Sequence, residues 1–248
     1  MRIVTNEALV KRNRKNATRL FFFSLAVLAL GFLLANGSLL GVIPEGAIDP
    51  QVYVLFMPVV LLVGFVTTMI SVRMTNLWIR VPRPEDALAE GLKGVSNKNV
   101  LYNYFHFPAR HVLVTQQAIF PIITRFQDGK FTVKGKKWRS HKGPIGTLFT
   151  MFRLDGVGNP FFDAEQAKEY VQYIVEDYDK NIPIQPIVVF VDSKATLEIE
   201  DPIYPVLYAD SKQSPNIRDY IKAYGDNIDL LSGKNREDFL QEFEAASL

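Results

Sequence analysis

The chain has 248 residues, a formal net charge of +2 and no cysteine. The missing cysteine excludes disulfides, thiolate metal sites and thiol nucleophiles, and it suits a reducing compartment. Residues 1–83 hold nine Lys/Arg against three Asp/Glu, and the remainder nineteen against twenty-three, so the larger C-terminal part is not the basic body of a dedicated nucleic-acid binder.

In chain order, residues 1–19 read as a polar, basic leader, partly helical. Two apolar runs follow, at 20–35 and 52–72, and neither holds a charged residue. Each is about long enough to cross a hydrocarbon core as a helix, and a bilayer obliges each to close its own backbone hydrogen bonds. Residues 20–72 are therefore expected to form a transmembrane helical hairpin, with Pro58 tolerated in the first turns of the second helix. Arg2, Lys11, Arg12, Arg14, Lys15 and Arg19 precede the first run, and Arg73, Arg80 and Arg83 follow the second. The turn between them carries only Glu45 and Asp49. Positive flanks stay in the cytoplasm, so both ends are expected inside, in a bacterial inner membrane. Gly31, Ala35 and Gly64 are small enough for close helix approach, which would let the hairpin meet a membrane-protein partner. Trp78 suits the membrane interface, where an indole can be half wet.

Residues 73–84 read as a linker, stiffened by Pro82 and Pro84. A short helix over 85–93 has Glu85 and Asp86 in its first turn and Gly94 at its end. Strands are expected at 100–105, 111–115 and 118–125, with Pro121 at an edge or irregular position. Asp128-Gly129 signals a hairpin into 130–133, and Trp138 continues the meander. A helix over 160–178 is capped by Asn159, with Pro160 first and Ala164, Ala167, Val171, Ile174 and Tyr178 as its apolar stripe. Residues 187–191 are a fully apolar strand and 205–208 another. Helices close the chain at 217–224 and 236–246, the latter with Phe239, Leu240 and Phe243 on one side. This order gives a mixed α/β domain over 85–225 with helices on one central sheet, followed by an amphipathic helix in 226–248.

The acidic helix, then His111-Val112-Leu113-Val114-Thr115, then Ala118-Ile119-Phe120-Pro121-Ile122, resembles the NERD (nuclease-related) domain of the PD-(D/E)xK nuclease-like fold. The later helix and the apolar strand before Asp192 suit that family too. The resemblance implies a metal-binding aspartate just before the first of these strands, a glycine opening the next, and Glu-x-Lys at its end. Here Arg110 stands at the aspartate position, Ala118 at the glycine, Ile123 at the glutamate and Arg125 at the lysine. An isoleucine offers a hard cation no oxygen, an arginine repels it, and Arg125 does not deprotonate to act as a base. No catalytic residue, metal ligand or cofactor is expected. Glu85 or Glu90 would match the family's helix carboxylate.

The expectation is a catalytically inactive nuclease-like domain, an adaptor or accessory subunit held at the membrane. The alternative is a membrane-tethered metal-dependent nuclease or a nucleic-acid-binding protein. Lys130, Lys134, Lys136, Lys137, Arg139 and Lys142 form the best anion-binding cluster, for lipid headgroups in preference to nucleic acid. Phe149 and Phe152, in the apolar segment just after it, are candidate membrane-interface residues. His106, His111 and His141 lack ligand spacing for zinc.

Overall fold

A computed structural model describes residues 1–44, 46–47, 49–141, 143, 146, 156–176, 182–224 and 233–245. It divides into a mixed α/β body and a helical hairpin; the hairpin, Val10–Arg80, is an insertion in the chain of the body.

The body is built on a six-stranded sheet. Its strands are β1 (Arg2–Thr5), β2 (Val100–Asn103), β3 (His111–Val114), β4 (Ile119–Arg125), β7 (Ile187–Phe190) and β9 (Val206–Tyr208), in the order β1-β2-β3-β4-β7-β9. β2, β3 and β4 run antiparallel, whereas β1 joins β2, β7 joins β4 and β9 joins β7 in parallel. β5 (Gly129–Lys134), β6 (Lys137–Ser140) and β8 (Ala195–Glu200) make a second sheet, ordered β6-β5-β8.

Helices cover both faces of the large sheet, so its strands are apolar on both sides. On one face α3 (Pro84–Gly91) and α5 (Ile217–Ala223) bring Leu88, Ile217 and Ile221 against Leu101, Leu113, Phe120 and Val189. On the other, α4 (Pro160–Val175) and α6 (Gly233–Ala245) pack Ala164, Val171, Phe239 and Phe243 against Val112, Ile119, Val188 and Val206. Phe131 and Val133 of the small sheet join this second core. The caps are those the side chains dictate: Asn159 accepts from the Phe162 N–H and Asn216 from the Asp219 N–H.

The basic leader is helical from Glu7, where α1 (Glu7–Asn36) begins, but its first residues, Arg2–Thr5, are an edge strand of the large sheet. Asp128-Gly129 does not make a hairpin with β4. The next place beside β4 is taken by β7, and Gly129, at φ 98°, turns the chain into the second sheet. β8 was not anticipated at all. The apolar side of the C-terminal helix, with Phe239 and Phe243, is buried in the core of the body. Pro121 lies in an interior strand, at the irregular stretch between the Ile119↔Ile184 bridge and the first β4–β7 pair, Ile122↔Ile187. Tyr178 lies outside the described residues, and Val175 ends the buried stripe of α4 instead.

The hairpin consists of α1 and α2 (Pro50–Trp78), both long and apolar enough to cross a membrane. Their buried residues recur every seven positions: Val10, Ala17, Ser24 and Gly31 in α1, and Gly64, Ser71 and Trp78 in α2. A strict seven-residue seam is the pattern of helices wound around each other. A Cβ on Gly31 would stand 3.4 Å from Val60, and one on Gly64 3.6 Å from Leu28. Gly31 and Gly64 thus serve contact within the hairpin, and Ala35 is exposed. Trp78 is not half wet but buried, in phase with the seam, and its carbonyl accepts from Arg14 Nε at 3.2 Å. Outside the seam, Phe21–Phe23, Leu25, Leu28, Leu55, Leu61 and Leu62 are exposed. Only 17% and 11% of the most apolar windows of α1 and α2 are buried, unlike a core helix of a soluble domain. β1 precedes α1 and is bonded to β2 beyond α2, so both ends of the hairpin lead into one sheet.

Candidate functional site

The three positions aligned with nuclease chemistry come together. Arg110 immediately precedes β3, and continuing the His111↔Ile122 register by one residue sets it opposite Ile123. Side chains alternate along a strand, so Arg110, Ile123 and Arg125 share the face that carries α4. Ile123 is 7% exposed and belongs to the core on that face. Arg110 is half-buried, with its guanidinium carbon 5.7 Å from the Phe107 ring centroid. Arg125 is bound on three sides: Nε donates to the Val157 carbonyl at 2.9 Å, one terminal nitrogen to Thr124 at 3.0 Å, and the other pairs with Asp163 at the start of α4. Burial lowers the Arg125 pKa from its ordinary value, and the Asp163 carboxylate opposes that shift.

This donor set does not fit the divalent ion that the nuclease resemblance implies. It offers two guanidinium groups and a hydrocarbon where oxygen ligands are needed. Glu85, the family's candidate helix carboxylate, accepts instead from the Tyr104 hydroxyl at 2.7 Å, and Glu90 pairs with Lys93 at 2.5 Å. Among the described residues no group of three or more His, Asp or Glu is placed to hold a metal. Arg125 reads as a strut between β4 and α4. Arg125→Met removes three charge-assisted bonds from a mostly buried site and is expected to cost about 2 kcal/mol. Asp163→Asn is expected to cost less, because both carbonyl bonds survive. Urea unfolding of each variant in mild detergent checks the order.

Behind Glu85 lies a buried polar chain. His111 Nδ1–H donates to Asn103 Oδ1 at 2.8 Å, and Asn103 Nδ2 donates to Thr5 Oγ1 at 3.2 Å. The His111 ring packs edge-on against Tyr104 at 4.9 Å. Burial, with the Arg110 charge adding to it, pulls the His111 pKa from 6.5 down to about 3. His106 is also lowered by burial, while its Nε2–H donates to the Phe243 carbonyl at 2.8 Å. His111 therefore stays neutral in the folded chain down to about pH 3. Below pH 6.5 the unfolded chain takes up protons that the folded one refuses. Stability therefore falls as pH drops from about 6.5 toward about 3. His111→Gln, which retains a donor for Asn103, is expected to flatten the stability–pH slope between pH 6.5 and 5 by up to about 1.4 kcal/mol per pH unit. Denaturation midpoints across that range measure it.

Two of the five described cations of the basic cluster are neutralised. Lys130 pairs with Glu198 at 2.5 Å and Lys134 with Glu200 at 2.7 Å, both carboxylates on the neighbouring β8. The Lys130 ammonium, aided by the Thr132 hydroxyl, holds the Glu198 carboxyl below its ordinary range. His141 Nε2–H donates to Thr132 Oγ1 at 2.7 Å. Lys136, Lys137 and Arg139 stay exposed, without an ion pair among the described residues. Lys142, Phe149 and Phe152 lie outside the described residues. The signal for β8 was present: in Thr196-Leu197-Glu198-Ile199-Glu200 apolar residues alternate with polar ones at the period of a half-buried strand. Read as a strand, it would have set two carboxylates beside the cluster.

Compared with protein-family models, with curated proteins and with solved structures, the chain gives no match in any of the three.

Proposed function

We propose that this chain is a membrane-anchored, nuclease-like domain without catalytic function, an adaptor or accessory subunit of a bacterial membrane-protein complex. The observation that carries the reading is the environment of Arg110, Ile123 and Arg125. They occupy one end of one sheet face in the order the nuclease resemblance requires, yet one is core hydrocarbon and another is committed to Asp163. The sequence of α3, the β2–β4 meander, α4 and a β7 parallel to β4 supports the same kinship. The anchor is the α1–α2 hairpin in the inner membrane. The basic flanks favour an orientation with both ends in the cytoplasm.

The test is incubation of the purified full-length chain with labelled DNA and Mg²⁺ or Mn²⁺. No cleavage is expected. Metal-dependent cleavage that disappears in Glu85→Ala or Glu90→Ala overturns the reading in favour of a tethered nuclease. Salt-sensitive DNA binding without cleavage assigns it to a nucleic-acid tether instead. Recovery of a defined complex from mild detergent, lost when the hairpin is replaced by an unrelated one, is the outcome an accessory subunit predicts.

A further inference from the structure

The hairpin has a readable register. Arg14 meets Trp78, Gly31 meets Val60, and Gly64 meets Leu28 and Val27, so facing residue numbers add to 91 or 92 throughout. Arg19 and Arg73 therefore stand at one level, on different helices. From that level α1 runs about 25 Å to Asn36 and α2 about 35 Å back to Pro50, at ~1.5 Å per residue. Neither stretch carries a charge. The span brackets the roughly 30 Å of a hydrocarbon core, which sets Arg19 and Arg73 at its boundary.

Beyond the boundary α1 continues unbroken as a helix, and its cations are sorted by direction. Arg14 turns to the Trp78 carbonyl. Lys11, Arg12, Lys15 and Arg19 are exposed. At 100° per residue these four fall within an arc of about 100°, opposite the seam of Val10, Ala17 and Ser24. No acidic residue intervenes between Glu7 and Glu45. Neither these four nor Arg73, also exposed, is in an ion pair among the described residues. The small-sheet cluster differs, because two of its lysines already have carboxylates on β8.

We propose that Lys11, Arg12, Lys15, Arg19 and Arg73 form a contact surface for anionic phospholipid headgroups. The inference rests on the reading above, that the hairpin lies in a bilayer with these ends on the cytoplasmic side. Four to eight Lys/Arg directly beside a membrane span attract an anionic leaflet. Here four of them share one face of α1 and the fifth, Arg73, stands level with Arg19 on α2; none is in an ion pair among the described residues, and they continue the apolar surface that lipid chains would cover. Arg19 and Arg73 meet the phosphate level, and Lys15, Arg12 and Lys11 extend about 6–12 Å outward from it, through the headgroup layer.

The test is electron spin resonance of the full-length chain in phosphatidylcholine vesicles, with spin-labelled phosphatidylglycerol or spin-labelled phosphatidylcholine as the reporter. The motionally restricted component is expected to favour phosphatidylglycerol by about threefold at low salt, and to approach parity at ~1 M NaCl. Lys15→Gln/Arg19→Gln/Arg73→Gln is expected to abolish the preference. Arg19→Lys/Arg73→Lys retains it, since point charges suffice for phosphate. Lys136→Gln/Lys137→Gln/Arg139→Gln also retains it. A restricted component with equal affinity for the two lipids overturns the headgroup surface while the membrane reading stands. So does a preference lost only in the Lys136/Lys137/Arg139 variant. No restricted component at all overturns both.

Discussion

Gly91→Ala is expected to destabilise the α/β body by about 3 kcal/mol or more, against the usual sign for a helical glycine. Alanine ordinarily gains about 1 kcal/mol over glycine inside a helix. At Gly91 the added Cβ would lie 2.2 Å from the Ala209 carbonyl oxygen and 3.1 Å from its carbon. Those atoms are backbone, and Ala209 is itself held by its N–H bond to the Phe190 carbonyl at 2.9 Å. Retreat of Ala209 would strain the end of β9, and retreat of α3 would open the core around Leu88 and Leu92, both fully buried. Overpacking alone costs about 1–3 kcal/mol, and a clash with fixed backbone lies at or above the top of that range. Thermal unfolding in detergent measures it. An unchanged or raised midpoint would mean that α3 does not sit on Ala209.

Phe243→Ala is expected to cost about 3–5 kcal/mol and to release α6. Phe243 is fully buried and packs against His106 at 4.1 Å, Tyr102 at 5.1 Å and Phe239 at 5.6 Å. Its own carbonyl satisfies His106 Nε2. Among the described side chains of α6, Phe239, Leu240 and Phe243 are the buried ones. One residue on, Glu244 accepts from the Tyr102 hydroxyl at 2.8 Å and pairs with Arg2 at 2.7 Å. Glu244 raises the Tyr102 pKa, second to burial. Limited proteolysis is the sharper readout: the variant is expected to be cut within α6 while the β2–β4 core persists. Glu244→Gln, which touches only the half-exposed clasp, is expected to cost under about 1 kcal/mol.

Much of the body was legible. Asn159-Pro160 and the apolar 187–191 each carry a local signal strong enough to fix an element of it, as the long charge-free runs do for the hairpin. Arg110, Ile123 and Arg125 were singled out by the family resemblance; strand alternation sets Ile123 and Arg125 on one face, and the β3–β4 register brings Arg110 to it. What escaped were elements whose meaning is set far along the chain. Arg2–Thr5 is four residues among basic neighbours, and only its pairing with Val100–Asn103, beyond the hairpin, makes it a strand. Asp128-Gly129 satisfied a hairpin rule locally, but β7 holds the place beside β4 that the rule would have given to β5. The neutralisation of Lys130 and Lys134 depends on β8, more than sixty residues later.

β1 has a consequence for assembly. Arg2–Thr5 leaves the ribosome ahead of both greasy helices, while its partner Val100–Asn103 emerges only after them. With the hairpin in a bilayer, a chain that inserts one helix and translocates the remainder strands the two segments in different compartments. The sheet then lacks its edge, Glu244 lacks Arg2, and Asn103 lacks Thr5. With both helices inserted, the two segments would lie on one side and the sheet could close on its edge strand.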